Sequence, residues 1–198
     1  MFLGCLNVYL NEYAFANANG HSFWTTLSRC LGRDLSKASV GIEAAGFPFL
    51  TVTESNENQT ITIRQNGFFE GGELMEPEDE ILYWIPLALK TLDENGIPIV
   101  NITLFLSERE ATFPLPDVSN GFYQLNANSF GFYRVRYTPE RLKKFAEAYR
   151  SQSTLSTAED RIGIVTDLRV MCPSGRSSTP DLLDLISAWK DEDRYKYL

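Results

Sequence analysis

A single histidine, His21, limits the chemistry open to this chain. A zinc hydrolase of the H-E-x-x-H type needs two histidines one helical turn apart to hold the metal and a glutamate as base. That set cannot be assembled from this sequence. A serine or cysteine nucleophile would have to take the same histidine as its base, and no G-x-S-x-G elbow is present. His21 stands beside Ser22 where an apolar periodic run begins, so it reads as a surface residue near a helix cap and not as a ligand. Catalytic, cofactor-binding and metal-ligating residues are all expected to be none.

The remaining chemistry-bearing residues read as structural. The run Glu70 to Glu80, "EGGELMEPEDE", lacks the lysine and following helix of a phosphate loop and the alternating oxygens of a calcium loop, which leaves a solvated acidic loop. Tyr83, Trp84, Phe122 and Tyr123 are types that line ligand grooves, but at strand spacing they predict core. Cys5, Cys30 and Cys172 are odd in number and far apart, with neither zinc nor redox-pair spacing. They read as buried thiols of a reducing compartment, which points to a cytoplasmic setting. In "FGFYRVRY" aromatic residues neighbour Arg134 and Arg136, a pattern shared by nucleic-acid platforms, ligand clamps and sheets with a charged side. The formal net charge of −8 repels phosphate backbones, so no nucleic-acid partner is expected.

Positioning these residues takes helices at both ends and strands between. Phe2, Leu6, Tyr9, Leu10 and Tyr13 fall at helical spacing. The polar Asn7, Asn11 and Glu12 and the missing basic flank argue against a signal peptide ending at Ala14-Phe15-Ala16. A second helix is predicted from His21-Ser22 through Phe23, Trp24, Leu27 and Leu31 to Gly32, capped by Ser22, with a weaker third in "RDLSKASVGIEAA". At "GFPFLTVTES" the period shortens to two, and Pro48 bars a helix. Strands follow in "QTITIRQ", "ILYWIPLALKTL", "IPIVNITLFLS", "ATFPL" and the stretch 130–137, with Asn95-Gly96 as a hairpin turn. Strands with no helix between them predict antiparallel pairing and a β-sandwich of the immunoglobulin or fibronectin kind.

After Tyr137 the period lengthens again. Thr138-Pro139-Glu140 starts a helix carrying Leu142, Phe145, Ala146 and Tyr149. After the polar linker Ser151 to Thr157, Thr157 opens a second helix that carries Ile162, Ile164, Val165 and Leu168 and ends at Pro173 or Gly175. A last pair is expected over about 180–189 and 191–198, and such short-spaced helices predict the start of an α-solenoid. The fold class is therefore α+β, with helices flanking a sandwich. Sequons at Asn58 and Asn101 are common by chance and decide nothing, and no stretch is long and apolar enough to span a membrane.

In this order the parts resemble the zinc aminopeptidases of the aminopeptidase N and puromycin-sensitive type, over essentially the whole chain. The segment "FLGCLNVYLNEYAFANANGHSFWTTLSRCLGRDLSK" is similar to the helices that end the family's catalytic domain, and "GFPFLTVTE" to its entry into a β-sandwich. "YWIPLAL" resembles its Trp-x-Ile-Pro strand, "LNANSFGFYRVRYTPERLKKFAE" its Leu-Asn-x-x-x-x-Gly-Phe-Tyr-Arg-Val-x-Tyr segment, and "LSTAEDRIGIVTDLRVM" the first helix of its C-terminal helical domain. Two stretches depart from the family. "ASVGIEAAG" lacks a tryptophan found there, and "CPSGRSST" replaces an Ala-Gly helix end, both on expected docking surfaces.

The resemblance implies three parts: residues 1–46 as the end of a catalytic domain, 47–137 as the sandwich, and 138–198 as the first helices of a superhelical domain. The family's substrate-amine motif, zinc site and catalytic tyrosine match nothing from Phe2 onward. It therefore implies no zinc in this chain and no hydrolysis by it alone, whereas full-length members trim N-terminal amino acids from peptides. Apolar surface is expected at Phe2, Leu6, Leu10 and Trp24 and at Leu182, Leu183 and Trp189, serving self-association or docking on the catalytic part of an aminopeptidase. The alternative is a stand-alone β-sandwich interaction module. Within 130–137, Tyr133 and Val135 are expected to face the core, and Arg134 and Arg136 neighbouring domains or solvent.

Overall fold

Helical spacing of apolar residues makes the first element a helix, α1 (Phe2–Glu12), followed by α2 (Gly20–Leu31) and α3 (Ser36–Glu43). They belong to the first of two compact units, residues 1–45 and 46–198, in a computed structural model that describes residues 2–43, 46–69, 72–73, 81–151 and 155–189. The cap of α2 is Asn19 and not Ser22: the Asn19 backbone is extended and its side chain accepts the Ser22 N–H at 2.9 Å, so the helix begins earlier than expected. Gly32, at φ +63°, ends it in the left-handed conformation. The edge of Tyr9 packs against Phe23, with centroids 5.1 Å apart, and Glu12 accepts hydrogen bonds from Thr26 and Arg29.

Phe2 and Leu10 are 55% and 61% exposed, the apolar surface expected of α1, whose buried side centres on Cys5. One expectation for this unit is corrected. Cys5 and Cys30 are not free thiols but a disulfide, and Cys172 is a half-buried free cysteine. Their sequence separation of 25 gave no pairing signal, but folding α1 back against α2 brings the two Cα atoms within 5.6 Å.

The strands of the second unit are β1 (Phe47–Ser55), β2 (Thr60–Phe69), β3 (Gly72–Glu73), β4 (Ile85–Pro86), β5 (Leu89–Leu92), β6 (Pro98–Asn101), β7 (Phe105–Leu106), β8 (Glu110–Pro114), β9 (Tyr123–Gln124) and β10 (Arg134–Arg136). β1 and β2 form a long antiparallel hairpin from Phe47 opposite Phe68 to Ser55 opposite Thr60, and β2 also pairs with β3 and β8. β10 pairs with β1 in parallel, with Phe49 opposite Arg134. The expectation of purely antiparallel pairing is corrected here, because β10 is the last strand and returns across the sheet in the direction of β1. Flanked on both edges, β1 buries Phe49 and Leu50 alike, and the two-residue alternation fails in its first half.

Two expected strands are each divided. "ILYWIPLALKTL" becomes β4, paired with β7, and β5, which lies between β6 and β9. Between them the Leu87 N–H donates to the Leu104 carbonyl, and the Leu87 and Ala88 carbonyls accept the N–H groups of Asn126 and Ala127 at 3.0 and 3.1 Å. Loop partners thus satisfy the backbone where the chain changes sheets. "IPIVNITLFLS" divides into β6 and β7 where Asn101 Oδ1 accepts from the Thr103 N–H and hydroxyl at 2.9 and 2.8 Å. Asn95-Gly96 turns the β5–β6 hairpin as expected, with Gly96 at φ +76°.

A short 3₁₀ turn, η1 (Ala127–Ser129), precedes β10, and α4 (Pro139–Ser151), α5 (Ala158–Met171) and α6 (Thr179–Ala188) follow it. Thr138 caps α4 through the Arg141 N–H, and Thr157 with Asp160 forms a reciprocal capping box on α5. α5 ends at Met171, before the proline expected to stop it. The second helix of the expected last pair, and most of the acidic run 70–80, lie outside the described residues. The fold class is α+β, as expected from sequence. Among the described residues no helix is long and apolar enough to cross a membrane.

Candidate functional site

Charged side chains gather in the second unit where strands give way to helices. β10 and the residue before it place Val135 and Tyr133 inward, both buried as expected. Arg134 turns to α5, where its Nη1 donates to Asp167 Oδ1 at 3.0 Å while the Val135 N–H donates to Oδ2 at 2.9 Å. Its guanidinium also lies 4.8 Å from the centre of the Phe47 ring. One carboxylate therefore holds both a strand's backbone and its side chain against a helix.

A second cluster joins α4 to β1 and β9. Arg141 is 1% exposed, and its Nε and Nη2 grip the two Glu54 oxygens at 2.8 and 3.1 Å. The same guanidinium donates to the Gly121 and Val118 carbonyls and covers the Tyr123 ring, whose hydroxyl donates to Glu54 at 2.8 Å. Burial raises the Glu54 pKa, but Arg141 and the Tyr123 hydroxyl outweigh it and hold the carboxyl below its usual range. Burial pushes the Tyr123 hydroxyl far up, so it stays a donor.

The third cluster centres on Asp160, the capping-box residue of α5. It pairs with Lys90 of β5, and both side chains are buried. Gln124 Nε2 and the Asn128 N–H complete its shell at 3.1 and 2.7 Å, while Tyr149 of α4 donates to Gln124 Oε1 at 2.8 Å. Asn128 and Ser129 sit at φ +58° and +51°, an uncommon backbone for non-glycine residues, held here by Asp160 and by the Ser129 hydroxyl on the Glu159 carbonyl. Gly163 allows this approach, since a Cβ there would lie 2.7 Å from the Ser129 hydroxyl.

Beside Asp167 an open groove of about 290 Å³ is lined by Phe47, Phe132, Tyr133, Arg134, Ile162 and Asp167. Burial pushes the Asp167 carboxyl up to about 7, with the Val135 N–H and Arg134 pulling the other way. His21 lies elsewhere, exposed in the first turn of α2 with Nε2 3.5 Å from the Thr25 hydroxyl. Tyr83 and Tyr123 are core, as expected, whereas Trp84 and Phe122 are half-buried. Among the described residues no three His, Cys, Asp or Glu side chains converge to hold a metal ion, so the donors present do not fit zinc.

Sequence reasoning missed the three clusters. Two signals for them were present: Lys90 is the only charge in the apolar "IPLALKTL", and Arg141 falls on the stripe of Phe145 and Tyr149 at helical spacing. No signal joined Glu54 or Asp167 to partners 87 and 32 residues away.

Together the three clusters tie α4 and α5 of this α+β unit to its strands. Residues 122–198 match the family model of the ERAP1-like C-terminal domain. The match takes in β9, β10 and the helices, and leaves out Glu54 of β1 and Lys90 of β5. Aminopeptidase 2, mitochondrial, of Saccharomyces cerevisiae is 34% identical over 98% of this chain and 19% of its own length. The alanine/arginine aminopeptidase of the same yeast is 35% identical over 98% and 21%, and the puromycin-sensitive aminopeptidase of Caenorhabditis elegans 28% over 96% and 20%. The resemblance to aminopeptidases read from its motifs thus holds along the length of the chain. The chain spans about a fifth of the length of the curated relatives it matches.

Proposed function

We propose that this chain is an architectural part of an aminopeptidase: a sandwich of the immunoglobulin or fibronectin kind over 47–137 that spaces and orients a catalytic domain, ending in residues 1–46, and a helical lid that starts as an α-solenoid at 138. It carries no zinc and hydrolyses no peptide by itself, while the whole enzyme to which such a piece belongs trims N-terminal residues from peptides. The observation that carries this reading is the set of buried and half-buried clamps Arg141–Glu54, Lys90–Asp160 and Arg134–Asp167, which would make strands and helices move as one body. A spacer needs that stiffness, and an isolated binding sheet does not. Its setting is cytoplasmic in this reading, and its partner is the catalytic part of an aminopeptidase or a second copy. Apolar surface supports the docking, with Phe2, Leu10 and Leu183 (59%) exposed, although Leu6, Trp24, Leu182 and Trp189 are half-buried.

Native-state hydrogen exchange tests the coupling. Amides of β1–β2 and of α4–α5 should open together, with one free energy and one denaturant slope. Separate opening of the helices would sink the spacer reading. An aminoacyl-anilide assay of the chain with added zinc should stay at the buffer rate, and turnover above it would overturn the non-catalytic role.

A further inference from the structure

The Cys5–Cys30 bond sits where it decides whether the first unit holds together. Cys5 is 2% exposed on the inner side of α1, whereas Cys30 is exposed in the last turn of α2. Among the described residues of that unit only Cys5, Thr26 and Leu27 are buried. The disulfide is the covalent tie between α1 and α2, formed on the buried side of α1. We propose that Cys5–Cys30 is a reversible clasp of the α1–α2 hairpin, exchanged by small-molecule thiols and disulfides through the exposed Cys30.

A thiolate RS⁻ attacks Cys30 Sγ, forming an RS–Sγ bond as the Cys5–Cys30 bond breaks. Cys5 leaves as a thiolate and takes a proton from solvent. A second RS⁻ attacks the thiol-derived sulfur of the mixed disulfide, RSSR departs, and the Cys30 thiolate is protonated. Two electrons pass from two thiols to the protein, and RSSR drives the reverse. Attack falls on Cys30 because access selects between two sulfurs of one bond.

The test uses the full chain, equilibrated across ratios of reduced to oxidised glutathione, acid-quenched, alkylated and weighed. At the oxidising end one alkyl group should be added, on Cys172, and at the reducing end three, one for each cysteine. The trapped mixed disulfide should map to Cys30. Hydrogen exchange of residues 2–31 should speed up by on the order of a hundredfold on reduction, with β1–β2 as the internal reference. Cys30→Ser should exchange over 2–31 like the reduced wild type at every ratio. An unchanging alkyl count, glutathione on Cys5, or unchanged exchange over 2–31 would each overturn the proposal.

Discussion

The two units hold their helices by different means. In residues 2–43 a hairpin of helices is joined by one disulfide around three buried residues, and the Glu12–Arg29 pair on its surface is exposed. In the second unit, α4 and α5 are held to strands by the buried Asp160 and the half-buried Glu54 and Asp167, each of which meets a cation and at least one further donor. A covalent bond stabilises by restricting the unfolded chain and needs little core, whereas a buried ion pair must recover its desolvation cost through additional hydrogen bonds. The first device acts almost alone. The second works only when every partner is in place.

That contrast is most sharply broken at Arg141. Arg141→Ala should destabilise the second unit by about 3–5 kcal/mol, because Glu54 and the Val118 and Gly121 carbonyls lose their donor in a buried site. Urea unfolding followed by Tyr and Trp fluorescence reads this, and a loss below about 1 kcal/mol would show the clamp to be decorative. In the first unit, Cys5→Ser under oxidising conditions should cost roughly 3 kcal/mol, seen as faster hydrogen exchange over 2–31. If the exchange rates of the variant matched those of the oxidised wild type, the packing of Tyr9 on Phe23 and the Glu12 bonds would be the true clasp.

Asp167 provides a test by pH. Its folded pKa is raised, from 3.8 to about 7, so the folded state holds the proton more tightly than the unfolded chain does. Its contribution is fully present below about pH 4 and is lost as the pH rises through 7. Wild type should therefore lose about 1–2 kcal/mol relative to Asp167→Asn across that window. Parallel stability curves for the two proteins would show that Arg134 and the Val135 N–H already cancel the effect of burial. The Glu54 contribution runs the other way and is lost only as the pH falls below the ordinary carboxylate range. The smallest effect is expected from Thr157→Ala, about 1 kcal/mol for the lost cap, measured by thermal melting. A loss as large as that at Arg141 would mean that the capping box also orients Asp160 toward Lys90.

Local rules carried much of this fold. Apolar spacing located α1, α2 and the C-terminal helices, Asn95-Gly96 located the β5–β6 turn, and Thr138 and Thr157 located two helix starts, because caps, turns and periodicity depend on residues within four or five positions. The same rules failed where distant groups competed for the backbone. The strand through Leu87 broke because Leu104, Asn126 and Ala127 took its hydrogen bonds. The stretch 130–137 was read as one strand, yet only Arg134–Arg136 pairs with β1, after Asp160 has fixed the turn at Asn128.

By itself the sequence determined the α+β class, the family resemblance and the impossibility of an H-E-x-x-H site with one histidine, since these follow from residue types, order and short-range pattern. Tertiary structure alone decided that β10 lies parallel to β1, that Cys5 bonds to Cys30, and that Glu54, Asp160 and Asp167 meet Arg141, Lys90 and Arg134. Each of those partnerships joins residues 25 or more positions apart. At such distances along the chain nothing in the local pattern encodes the pairing, and only the packing of whole elements brings the groups within bonding range.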